Sequence, residues 1–185
     1  MKHLAVVMAV LACFSTCIAQ SFEPKWAGEV VLLDIAGNDT TSVATEKANV
    51  QIKTSNSAGR LLVGIGNTRR KISIKGGQST TQFPTGKDVV LIIKCKDNES
   101  DPSTFIQIVK FEEKKKERRA ELANVNWLGN VSEGTMTLMP FEADMYGKSS
   151  YILKMPSEPG EYGVRILNPN DRDEKILLFH CFGIH

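Results

Sequence analysis

Two runs in the middle of the chain limit its architecture more than any composition figure. DVVLIIKCK (88–96) is apolar on both faces over most of its length. In TFIQIVKFE (104–112), Phe105, Val109 and Phe111 share one side, and Ile106 and Ile108 the other. A strand apolar on one side can lie against water, whereas a strand apolar on both must be covered above and below. The cluster DNESDPS between them is turn chemistry. The pair predicts the centre of a layered β structure.

The flanking sequence agrees with that expectation. GEVVLLD (28–34) is a compact apolar run closed by AGNDTT, and KANVQIKT (47–54) and RKISIKG (70–76) alternate apolar with polar residues. TMTLMPFEA (135–143), SSYILKM (149–155), EYGVRIL (161–167) and KILLFHCFGI (175–184) add four more candidates. About nine or ten strands at intervals of roughly 10 to 15 residues give the spacing of an all-β, antiparallel β-sandwich. The charged stretch EEKKKERRAELANVNWLG (112–129) reads as strand and loop, its lysines and arginines a solvated arm that discourages edge pairing. One domain over residues 20–185 is expected, with two small β-subdomains split near 112–130 as the alternative.

The N-terminus addresses the compartment. Lys2 and His3 precede LAVVMAVLACFSTCIA, with Cys17 and Ala19 as small residues at the cleavage positions, the pattern of a secretory leader over residues 1–19. The run is too short for a span, and nothing after it is apolar enough for one. VLAC, ending at Cys13, loosely resembles a lipobox, but bulky Leu11 favours simple export to the periplasm or cell surface over a lipid anchor at Cys13. Removing Lys2 with the leader leaves 22 basic against 21 acidic side chains, so no one-signed field draws nucleic acid. KKKERR (114–119) has no interleaved aromatic for base stacking.

No gathered set of reactive groups emerges. The mature chain has two histidines, His180 and His185, both within the last six residues, so neither a copper-type ligand set nor a serine or cysteine triad is expected. His180 and Cys181 are neighbours that point to opposite faces of a strand, an edge-exposed histidine beside a buried cysteine. Cys95 and Cys181 remain after export, either bonded to each other or buried separately. Glycines in GIGNTRRK lack both P-loop spacing and a following helix. Trp26, Trp127, Tyr146 and Tyr151 are scattered candidates for a sugar platform. In SEPGEYGVRI (157–166), Gly160 supplies turn freedom and Tyr162 opens an alternating strand, the immunoglobulin-like corner in which the hydroxyl folds back onto the backbone. No cofactor or metal is expected.

WAGEVVLLD, KCKDNESDPSTFIQIVKFEEKKKERR and SSYILKMPSEPGEYGVRILNPN with the ending FHCFGIH resemble, over nearly the whole mature chain, a group of small exported proteins of envelope-bearing bacteria. The corner Pro159–Tyr162 and the ending Cys181–Gly183 carry the likeness most clearly. It implies compartment and fold, and transfers no catalytic residue. The expectation is a non-enzymatic envelope protein contacting an envelope protein or a glycan, with a carbohydrate-binding module and then a hydrolase as alternatives.

Overall fold

The computed structural model describes residues 21–56, 68–125, 131–133, 136–167 and 176–185. The leader with Cys13 and Cys17, the glycines of GIGNTRRK, Trp127 and the connection NPNDRDE lie outside these residues. Among the described residues there is no α-helix. The strands are β1 (Val30–Ala36), β2 (Asp39–Ala44), β3 (Glu46–Asn56), β4 (Thr68–Lys75), β5 (Gln82–Phe83), β6 (Val89–Lys94), β7 (Ile106–Lys114), β8 (Glu117–Val125), β9 (Val131–Glu133), β10 (Thr137–Met139), β11 (Glu142–Tyr146), β12 (Ser150–Met155), β13 (Gly160–Ile166) and β14 (Ile176–Ile184). One 3₁₀ turn, Pro102–Thr104, is capped by the Asp101 carboxylate accepting from the Ser103 amide.

Two antiparallel sheets pack face to face. One has the order β11-β12-β6-β1-β2, and the other runs β10-β7-β13-β14-β3-β4-β8-β9 with β5 added in parallel to β14. The all-β sandwich read from the alternation is therefore what forms. The fourteen strands among the described residues exceed the nine or ten expected: β2 begins within AGNDTT, read as a turn, TMTLMPFEA divides between β10 and β11, and β5 and β9 are only two or three residues long.

The larger sheet closes on itself. β7 pairs with β13 along one edge, and with β10 and then β8 along the other, so β7, β13, β14, β3, β4 and β8 form a ring. Closure removes the edges that β7 and β8 would otherwise present. The segment expected as a solvated arm is the β7–β8 hairpin, turning at Lys115–Lys116, and the division suggested near 112–130 begins inside it.

Alternation sorts the apolar residues into three clusters. Leu32, Leu91 and Leu153 meet Ile106, Ile108, Tyr162, Val164 and Phe182 between the sheets. Val109, Phe111, Phe179, Cys181, Val50, Ile72 and Ile74 fill the ring. Leu33, Val90 and Ile92 form the outer face of the smaller sheet, flanked by Ile152 and Tyr146 of the same sheet and packed against Phe22 from the N-terminal segment. β6 is thus buried on both sides, by the facing sheet on one and by its sheet neighbours and Phe22 on the other. β7 likewise feeds two clusters, although Phe105, which precedes the strand, packs edge-on against Tyr151 rather than with Val109 and Phe111. The expected centre is two strands in facing sheets. At Gly163 a Cβ would stand 2.6 Å from the Phe111 ring and 2.9 Å from that of Phe179, so a bare backbone makes room for both rings inside the ring of strands.

Candidate functional site

Among the described residues a buried set of charges gathers at an end of this ring, and the sequence did not announce it. On β8, Arg118 shares its face with Ala120, so alternation sends the guanidinium inward, where it is 1% exposed. β3 contributes Glu46 and β13 contributes Glu161, whose side chain is wholly buried. Arg118 Nη2 donates to Glu46 Oε1 at 2.6 Å, Nη1 lies 3.5 Å from Glu161 Oε2, and Nε donates to the Gly76 carbonyl at 3.3 Å.

The loop after β4 completes the cage. The Ser79 amide donates to Glu161 at 2.7 Å, the Thr80 amide donates to Glu46 at 2.7 Å, and Gln82 reaches Glu161 at 3.3 Å. His185 Nε2 stands 3.0 Å from the remaining Glu161 oxygen. Burial alone would raise the Glu46 pKa, but Arg118, the Thr80 amide and the Ser79 hydroxyl outweigh it and hold the carboxyl below its usual range. The two carboxylates share one guanidinium and each also accepts from a backbone amide. Their chemistry is that of a lock joining β3, β8, β13 and the loop at 76–82.

His180 is not edge-exposed. It faces the space between the sheets, 2% exposed, with Nδ1 3.1 Å from the Thr45 hydroxyl. That hydroxyl spends its only hydrogen on the Val30 carbonyl at 2.8 Å, so the imidazole Nδ1 is the donor of the pair. Thr45 sits where the chain passes from β2 into β3, and the three-residue contact stitches the crossing between sheets. Cys181, on the opposite face, is buried as expected.

No disulfide joins Cys95 and Cys181; both are free. Cys95 packs against the core between the sheets and Cys181 belongs to the ring interior, so they serve different clusters. Burial pushes their thiols up to about 11 and about 12.

At the corner, Gly160 takes φ +146° and the Tyr162 hydroxyl donates to the Glu158 carbonyl at 2.7 Å, with Lys110 over the ring. This is a local device of the strand entrance. The three described aromatics do not form a platform: Trp26 is 63% exposed under Lys25, Tyr151 is buried with its hydroxyl on the Ser100 carbonyl, and Tyr146 accepts from the Phe22 amide. An open groove of about 360 Å³ between Pro140–Glu142 and Lys154–Pro156 has apolar walls, with Glu142 and Lys154 opposite one another in register.

Among the described residues, one edge of the smaller sheet has backbone groups directed away from any paired strand. Among the described strands β2 pairs with β1 alone. Ala36 and Asp39 close a two-residue turn led by Gly37 at φ +64°, which makes them a hydrogen-bonded pair. Asp39, Thr41 and Val43 therefore turn their backbone groups toward β1, and Thr40, Ser42 and Ala44 turn theirs outward. The Ala44 carbonyl accepts from the Thr81 hydroxyl at 3.0 Å, as an outward carbonyl can. From Thr40 to Ala44 the edge carries no charge, whereas the opposite edge, β11, bears Glu142 and Asp144. Compared with protein-family models, curated proteins and solved structures, the chain matches none.

Proposed function

We propose that this chain is a non-enzymatic, exported protein of the cell envelope that docks another polypeptide by strand addition at β2. The observation that carries the reading is the uncharged edge Thr40–Ala44, with the backbone groups of Thr40 and Ser42 directed away from β1. A row of unpaired amides and carbonyls is a template for an incoming strand, and main-chain bonds then supply the affinity. The leader-like N-terminus supports export. The engagement of Arg118, Glu46 and Glu161 in mutual bonds supports a binding role over a catalytic one.

A photo-crosslinking residue at position 42, introduced in cells expressing the full chain, tests this. A discrete polypeptide adduct in the envelope fraction is expected, absent when the same group is placed at Asp144 of β11. A chain that forms no adduct from position 42 does not dock through this edge.

A further inference from the structure

We infer that the strand received by β2 is that of a second copy of this chain, antiparallel about a two-fold axis at Thr41. This rests on the edge-docking reading above and names its partner. The free backbone groups select the register. Because Thr81 already occupies the Ala44 carbonyl and leaves only its amide, the residues that offer both backbone groups to an incoming strand are Thr40 and Ser42. Antiparallel pairing centred on Thr41 places Thr40 of one copy opposite Ser42 of the other, twice. Each such pair exchanges two bonds, so four main-chain hydrogen bonds form and no outward group between Thr40 and Ser42 is left over.

The side chains fit the same two-fold. Thr41 faces its own copy in a non-hydrogen-bonded pair, with Cα atoms about 4.5 Å apart, where β-branched residues and hydroxyls are favourable partners. Asp39 falls opposite Val43, so no like charges meet. Self-pairing of β11 about its own centre would set Asp144 against Asp144, a repulsion that protects that edge. Of the two edges of the smaller sheet, β2 is the one whose sequence tolerates its own image. The five-stranded sheets of two copies then join into one of ten strands, an isologous closure that leaves β2 no further free edge.

Light scattering on the purified full chain over a dilution series tests the assignment. Wild type is expected to form a dimer that dissociates on dilution. T41K opposes two ammonium groups at the axis and is expected to weaken the dimer by about tenfold or more, as is S42P, which removes an outward amide without touching a bond to β1. Thr41 is exposed, so both changes should leave the melting midpoint of the monomer in place. Mixing T41K with T41E should restore a heterodimer. A wild-type dimer insensitive to T41K and S42P, or a wild-type monomer at every concentration, overturns the second-copy assignment. If that monomer still forms an adduct from position 42 with a different polypeptide, edge docking stands and only the partner is wrong. If it forms none, both fall.

Discussion

Lowering the pH from about 7.5 to about 4.5 singles out the His180–Thr45 contact, because few other groups that change charge there are buried against a fixed partner. Burial, and then the Lys47 ammonium, hold the His180 pKa down to about 4 against an ordinary 6.5, while the Gly28 carbonyl and Glu29 pull more weakly upward. With the folded value below the unfolded one, the unfolded chain binds the proton first. The neutral imidazole therefore contributes fully above about pH 6.5, and its contribution drains away as pH falls toward about 4. At about 1.4 kcal/mol per unit of separation, the loss at pH 4.5 is about 2.5 kcal/mol, approaching about 3.5 kcal/mol in stronger acid. Urea unfolding followed by circular dichroism, in wild type and His180→Gln at both pH values, measures it. Glutamine keeps an amide donor for the Thr45 hydroxyl and has no proton to gain. Glu23, whose carboxyl Lys94 holds at about 2, loses its contribution only at lower pH and equally in both proteins. The wild type should lose about 2.5 kcal/mol more than the variant on acidification. Equal losses would refute the argument and return His180 to a solvated position.

Three further outcomes follow from the same geometry. Arg118→Met strands the buried Glu161 carboxylate and should cost about 3 to 5 kcal/mol by urea unfolding, with part regained in Arg118→Met/Glu161→Gln; no recovery in the double variant would show that the two side chains are not coupled. Tyr162→Phe, which removes the 2.7 Å bond to the Glu158 carbonyl, should cost about 1 to 3 kcal/mol, and an unchanged melting midpoint would show that the corner carries no stability. Cys95 and Cys181 should resist alkylation in the folded protein, react on unfolding, and leave the melting midpoint indifferent to reductant; a midpoint that falls with reductant would mean the thiols pair.

Much of the framework was legible because strand burial is a local property of the sequence. The two-faced apolar run of β6 announced burial on both sides, and Leu33, Val90 and Ile92, packed against Phe22, make one of those buried sides. The single-phase alternation of β3 and β4 marked one apolar side each, now the ring interior at Val50, Ile72 and Ile74. Tyr162 and Gly160 carried the corner in their spacing, since both act within a few residues of the bond they form. What failed was everything set by partners distant in sequence. Cys95 and Cys181 looked equally ready to pair or to stand apart, and the apolar cluster each joins decides that, which no local pattern encodes.

Arg118 shows why the candidate site stayed hidden. Within EEKKKERRAEL, charged residues occupy both phases of the alternation, so the run reads as solvated on either face. Ala120 and Leu122 continue the phase of Arg118, and that faint signal points inward, but an inward arginine is stable only where carboxylates wait for it. Glu46 lies 72 residues away and Glu161 lies 43 residues away, brought to the same spot because β7 bonds to both β13 and β8. Ring closure and the buried charge therefore explain one another: the ring turns the β8 face inward, and the guanidinium holds β3, β8 and β13 together at the end where hydrophobic filling stops. Disrupting the lock should accordingly loosen that end while leaving β1, β2 and β6, whose strand-to-strand bonds lie in the other sheet, paired as before.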